Sequence, residues 1–302
     1  MNISKKALMS FIVALTSVVA MAQPYYHIMK EVNGRLIEEK GYDGMDYKIK
    51  IDMSETKPKD AIGNKITVTS CSDPTKIRSF WFTNKGNVYY KYSTGKFYFE
   101  NSQLEYALFP GVAQDHKGHF YFGNTIESCT DPNASWEIKN GEEFYFANPE
   151  NLPKLQEDLG NERWGVLTNC EWEYVINNLG EYGWKVNGKN CYLIDTTPGK
   201  SLLTELRNNN NGNTSDLSID KFKSLEAQGL VCLPTSGFEE KNDNNHLFIY
   251  EMDRYACYWS STQDSNTRAW YLFFYPTGSG VGKQVRTTRS GMAVRLVILA
   301  DD

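Results

Sequence analysis

Tyr258-Trp-Ser-Ser-Thr262, the polar run Gln263-Asp-Ser-Asn-Thr-Arg268, the aromatic run Ala269-Trp-Tyr-Leu-Phe-Phe-Tyr275 and the closing Arg289-Ser-Gly-Met-Ala-Val-Arg295-Leu-Val297 are the most informative part of this 302-residue chain. Aromatic and β-branched residues gather at 256–261, 269–275, 284–288 and 292–299, with polar or glycine-containing breaks between them, which predicts strands joined by turns. Leu230–Leu233 has the same character. Further upstream, Phe80-Trp-Phe82, Val88-Tyr-Tyr-Lys-Tyr92 and Phe97-Tyr-Phe99, with Ser93-Thr-Gly-Lys96 between the last two, read as strand–turn–strand. Weaker strands are predicted at 47–53, 65–68, 119–122 and 143–146.

Two helices lie between these groups. Thr168-Asn-Cys-Glu171 has the form of a capping box, with Leu167 and Trp172 placed as a hydrophobic staple. Trp172, Val175, Ile176 and Leu179 continue as one apolar stripe, and Gly180 is expected to supply a left-handed exit. The second helix starts at Ser218 as N-cap, turns Ile219, Phe222 and Leu225 inward and stops at Gly229. Asn208–Asn213 and Glu239–Asn245 read as polar connectors. Strands, two short helices and a mostly antiparallel block together predict an α+β fold.

Lys5 and Lys6 ahead of the apolar run Ala7–Val19, then Ala20-Met-Ala22, have the form of a secretory signal peptide over residues 1–22. The expected localisation is therefore exported: periplasmic, cell surface or extracellular. Removal of that leader leaves a net charge of −7, and no run of Lys or Arg exceeds a pair, which argues against nucleic-acid binding. No other apolar run approaches the length of a transmembrane helix. Residues 23–69 read as an N-terminal extension or small β unit, and 70–302 as the main domain.

Motifs for catalysis are weak. Thr277-Gly-Ser-Gly-Val-Gly282-Lys283-Gln284 resembles a phosphate-binding loop but has Thr277 for the first glycine and Gln284 for the hydroxyl residue, and a strand-like segment follows it. His116-Lys-Gly-His119 is too loose for a metal motif, and surface loop histidines are the expectation. No Gly-x-Ser-x-Gly elbow occurs, and no carboxylate pair is set by spacing for glycoside hydrolysis. No cofactor or metal is expected. The six cysteines include no Cys-x-x-Cys, and the repeated Cys71-Ser-Asp-Pro and Cys129-Thr-Asp-Pro make a Cys71–Cys129 disulfide a reasonable expectation.

Arg163-Trp-Gly-Val-Leu-Thr-x-x-Glu171-Trp, Tyr182-Gly…Val186-Asn-Gly188, Glu226-Ala-x-Gly-x-x-x-Leu-Pro234-x-x-Gly237, Tyr-Trp-Ser-Ser-Thr and the closing Arg-x-Gly-x-x-Val-Arg follow one another in order. In this the chain resembles the Fibrobacter succinogenes major paralogous domain, a C-type-lectin-like fold of the formylglycine-generating-enzyme type. The resemblance is specific over Arg163–Val297, weaker over Ser79–Phe109 and absent before Thr69. It implies a scaffold of two short helices packed on antiparallel sheet, presenting long loops from an exported bacterial protein. The late cysteine pair of formylglycine-generating enzymes is missing, since no Cys follows Cys257, so that oxidase activity is not expected. The Glu-Pro-Asn, Gln-Pro-Asp and Trp-Asn-Asp motifs of calcium-dependent sugar lectins are absent too.

Trp259, Arg289 and Arg295 are expected to hold the core and not to touch ligand. Ligand contact is assigned to loops at Gln263–Arg268 and Tyr275–Arg286, with Asp264, Asn266, Arg268, Tyr275, Thr277, Ser279, Lys283 and Gln284 as the binding residues. The expected function is an exported, non-catalytic module that recognises a protein or glycan. The alternatives are a structural subunit of a surface appendage, or an enzyme acting on polysaccharide with a cleft holding two carboxylates.

Overall fold

The computed structural model describes residues 29–32, 35–38, 49–50, 57–69, 77–105, 115–131, 142–241, 247–250, 252–275, 281–287 and 290–300. β1 (Met29–Val32), β2 (Arg35–Glu38) and β3 (Ile49–Lys50) form an antiparallel meander. β4 (Ala61–Thr69) pairs with β5 (Ile77–Thr83), and β6 (Val88–Lys91) lies between β7 (Lys96–Phe99) and β8 (His116–Lys117). Helices α1 (Ile126–Thr130) and α2 (Leu152–Leu159) precede β9 (Trp164–Val166), and α3 (Asn169–Tyr174) runs on into a π-helical turn at Val175–Leu179.

The hairpin of β10 (Gly180–Val186) and β11 (Lys189–Asp195) leads to α4 (Ser201–Asn209), β12 (Asp216–Leu217), α5 (Ile219–Glu226) and β13 (Leu230–Pro234). These strands make a second sheet in the order β12-β10-β11-β13. After the β14 (Phe238–Lys241) and β15 (Leu247–Tyr250) hairpin come β16 (Ala256–Ser265), β17 (Arg268–Phe274) and β18 (Val281–Thr287), a three-stranded ribbon. β19 (Leu296–Leu299) inserts between β5 and β9, completing a central sheet in the order β4-β5-β19-β9. Of the pairings between these strands only β10–β12 is parallel, so the architecture is α+β with several antiparallel sheets and few short helices.

Alternation along the strands sets up three apolar layers. Trp81, Leu296 and Ile298 leave one face of the central sheet into the first layer, while Phe80, Phe82 and Val297 leave the other into the second. The ribbon divides in the same way: Cys257, Trp259, Ala269 and Tyr271 join the first layer, and Ala256, Tyr258, Leu272 and Phe274 the second. Tyr192, Ile194, Val231 and Leu233 close the second layer from the β11–β13 side. The opposite face of those strands, with Cys191, Leu193 and Cys232, is covered by Leu202, Leu203 and Leu206 of α4 and by Phe222 and Leu225 of α5. The helices are two to three turns long and are stable through this packing.

The cap of α3 forms as its sequence implies. Thr168 Oγ1 accepts from Glu171 N at 3.2 Å, Glu171 Oε2 accepts from Thr168 N at 2.7 Å, and Leu167 and Trp172 bury in one cluster. Ser218 caps α5 by accepting from Lys221 N at 3.2 Å. Several expectations need correction. Gly180 has φ −102° and ψ 164°, an extended exit; a Cβ there would lie 2.1 Å from the Tyr192 ring, so the glycine is needed for close packing and not for handedness. Ile219 faces outward, because the inward stripe of α5 begins at Phe222. Helix α4 takes in Asn208 and Asn209, and Phe144–Phe146 form a turn that drops three rings into the first layer instead of a strand. Ala61–Thr69 is not a separate unit: Ile62 pairs with Phe82 and Ile66 with Phe80, which makes β4 the edge of the central sheet.

Cys129 is a free, wholly buried thiol 3.3 Å from Gly123 O, and burial pushes its pKa up to about 12. The expected Cys71–Cys129 bridge is therefore not formed; Cys71 itself lies outside the described residues.

Candidate ligand-binding surface

The Tyr-Trp-Ser-Ser-Thr segment sits where β16 leaves the core. Tyr258 Oη donates to Pro234 O at 2.8 Å and Trp259 Nε1 to Phe120 O at 2.6 Å, and both side chains are wholly buried. Ser260 Oγ donates to Trp270 O at 2.9 Å, within an irregularity that breaks the β16–β17 ladder between Trp259 and Gln263. There the strand turns toward α3: Ser261 N donates to Leu167 O at 2.9 Å, and Thr262 Oγ1 accepts from Asn169 N at 3.0 Å. The motif joins the ribbon to a helix start.

Beyond it the ribbon runs into solvent. Ser265 pairs with Arg268, so the expected loop at Gln263–Arg268 is a tight hairpin whose turn is Asn266 and Thr267 alone. Asp264 Oδ2 and Arg268 Nε form an ion pair at 3.2 Å on this exposed tip. Tyr275 follows the opposite end of β17, on the order of 20 Å away. It is half-buried, edge-on to Tyr255 at 4.9 Å and to Phe273 at 5.6 Å. Lys283 and Gln284 lie within β18, opposite Leu272 and Tyr271, so the second expected loop is a paired strand over 281–286. Thr277, Ser279 and Arg289 lie outside the described residues. The structure thus joins Asp264, Asn266 and Arg268 at one tip and separates them from Tyr275, Lys283 and Gln284.

Two polar constellations have no counterpart among the expected binding residues. The first is buried. Lys117, His119 and Tyr121 alternate along one extended segment and so turn the same way. Lys117 Nζ and Tyr121 Oη both hydrogen-bond Glu239 Oε1 in very short contacts. The Lys117 ammonium also lies 4.6 Å from the centre of the Tyr121 ring. Both side chains of the Lys117–Glu239 pair are 2% exposed. Burial lowers the pKa of Lys117, opposed by Glu239, and lowers that of His119, whose Nε2–H donates to Ser236 O at 2.9 Å. His119 is consequently a core group and not a surface loop residue. The Glu239 backbone exchanges hydrogen bonds of 2.7 and 2.8 Å with Gly291, which ties β14 to the approach to β19.

The second constellation lies on the β7-β6-β8 sheet. Tyr98, Tyr89 and His116 form a half-buried row, with ring centres 5.5 Å apart for the tyrosines and 4.8 Å for Tyr89 and His116. Tyr89 and Tyr98 are opposed in register, so the row follows from the strand pairing. At one end Asp115 accepts from Ser93 N at 2.5 Å and Ser93 Oγ at 2.6 Å and lies 3.8 Å from Lys91 Nζ. The Ser93 hydroxyl is the main reason the Asp115 carboxyl stays below the usual range. Glu100 acts electrostatically on Tyr89; its own carboxyl is pushed up to about 7 by burial, and further by the like charge of Glu105. The alternation of Tyr89 with Lys91 and the opposed Tyr98 were visible signals for this face.

Among the described residues no group of three or more His, Cys, Asp and Glu is placed to hold a metal ion, and no helix is long and apolar enough to cross a membrane. No curated protein and no solved structure matches the chain. Residues 182–297, from β10 to within β19, are similar to a family described as a domain of unknown function (DUF8237).

Proposed function

We propose that this chain is an exported, non-catalytic binding module with a C-type-lectin-like fold, and that it takes a protein or glycan ligand at the outer end of the β16–β17 ribbon. The observation that carries the reading is mechanical. The ribbon is clamped between two apolar layers at its base, and its tip presents Asp264, Asn266 and Arg268 to solvent. Adaptable polar groups on a rigid support suit recognition, because little order has to be imposed on binding. Replacing Asp264, Asn266 and Arg268 together by Ala is expected to leave the melting temperature nearly unchanged and to abolish binding on glycan or host-protein arrays. Binding that survives this change but is lost with Tyr275→Ala moves the site to the other end of β17.

A second reading, polysaccharide binding or cleavage at the Tyr98–Tyr89–His116 row, is favoured by Glu100. An aromatic row flanked by polar side chains offers stacking and hydrogen bonds at once, and a carboxyl held near 7 beside a second carboxylate suits general acid work. Release of reducing sugar from polysaccharides by the protein, and its loss in Glu100→Gln, is the outcome this reading requires.

A further inference from the structure

Cys191 and Cys232 stand on neighbouring strands of the second sheet. Leu193 is opposite Cys232 and Cys191 is opposite Pro234, so the two cysteines are diagonal neighbours. Both side chains enter the third apolar layer, both are 0% exposed, and both are free thiols. Their sulfurs are within hydrogen-bonding reach of each other, and the Cys191 Sγ–H also points to Trp184 O at 3.6 Å. Diagonal partners on one face of an antiparallel pair have Cα atoms about 7–8 Å apart and side chains closer. That is beyond the roughly 4.4–6.8 Å that a disulfide usually spans, so closure requires the strands to move together by on the order of 1 Å.

We infer that Cys191 and Cys232 form a cross-strand disulfide that staples β11 to β13 in the exported protein. The inference rests on the export reading for its oxidant, a disulfide-exchange donor of the exported compartment such as a disulfide oxidoreductase. One thiolate attacks the donor disulfide and releases a donor thiol. The second thiolate then displaces the other donor thiol from the mixed disulfide. The two cysteines lose two protons and two electrons, the new S–S bond forms, and the donor disulfide is reduced to two thiols. Burial raises the Cys191 thiol well above its ordinary range, so the exchange belongs to the stage before α4 and α5 cover the sheet.

The test refolds the full chain from denaturant in a buffer of oxidised and reduced glutathione, and in parallel in excess reductant. Each sample is then denatured without reductant, alkylated and mapped by peptide mass. After oxidative refolding, Cys191 and Cys232 should be recovered as one linked peptide while Cys129 and Cys257 are alkylated. The oxidised protein should melt roughly 5 °C or more above the reduced one, and Cys191→Ala should remove the linked peptide and reduce that difference. Alkylation of Cys191 and Cys232 to the same extent as Cys129 after oxidative refolding overturns the bridge, whether or not the variant folds. Cell fractionation tests export separately: a cytoplasmic chain that still forms the linked peptide on refolding overturns the export reading and leaves the stapling geometry intact.

Discussion

Lys117–Glu239 and Arg268–Asp264 are the same kind of contact, a cation on a carboxylate, placed in opposite surroundings. The first is 2% exposed on both sides and shares its carboxylate with Tyr121; the second is 56% and 28% exposed on a hairpin tip. Water screens the tip pair, so holding it together contributes little. In the core, each partner supplies the opposite charge that offsets one which cannot reach water. Burial, more than the type of contact, assigns the first pair to architecture and leaves the second accessible to solvent, as the proposed recognition role requires.

The sharpest way to break this contrast is Glu239→Ala, which leaves the Lys117 ammonium buried without its carboxylate partner. A loss of about 3–5 kcal/mol is expected in chemical denaturation. The double change Lys117→Met, Glu239→Leu should recover much of that loss, because no charge is then buried. If the double variant is as unstable as the single one, the pair is not the brace described above. An intermediate effect is expected at Glu100, which lies between the two extremes of exposure. Its folded pKa of about 7 lies above its ordinary 4.5, so between those values the folded state binds more protons than the unfolded state. Stability should therefore fall as pH rises from about 4.5 to about 7, and Glu100→Gln should flatten that part of the melting-temperature profile. The smallest effect belongs to Asp264→Ala, expected within about 0.5 kcal/mol of the parent by the same denaturation. A larger loss would make the tip pair structural and weaken its assignment to ligand.

The same division by surroundings explains what could be read from the sequence. Thr168 and Ser218 announce their helix starts because caps are local: the partner lies three residues away. The strands at 80–82, 88–92, 97–99, 230–233, 256–261 and 269–275 were legible because aromatic and β-branched residues crowd a short run. Helix α4 was not legible, since Leu202, Leu203 and Leu206 give too short a stripe beside an Asn-rich tail. The Lys117–Glu239 contact joins residues 122 positions apart, and no local pattern marks it. Gly180 could be recognised as special but not why, because its reason is the ring of Tyr192 on the partner strand. The expected binding residues were read as loops because their polar composition fits loops. Strand pairing carried Asp264, Lys283 and Gln284 into the ribbon regardless.

The position of β19 has a consequence for how the chain is made. Leu296–Leu299 is not an edge added last but the inner strand between β5 and β9, with Val297 opposite both Phe82 and Gly165. Until those residues emerge from synthesis, β5 and β9 have no common partner and both apolar layers on the central sheet stay open. Such long-range closure is slow and comes late. A growing chain with that topology cannot close its central sheet until β19 has been made, and an open sheet of this kind is compatible with the threading that the proposed export requires.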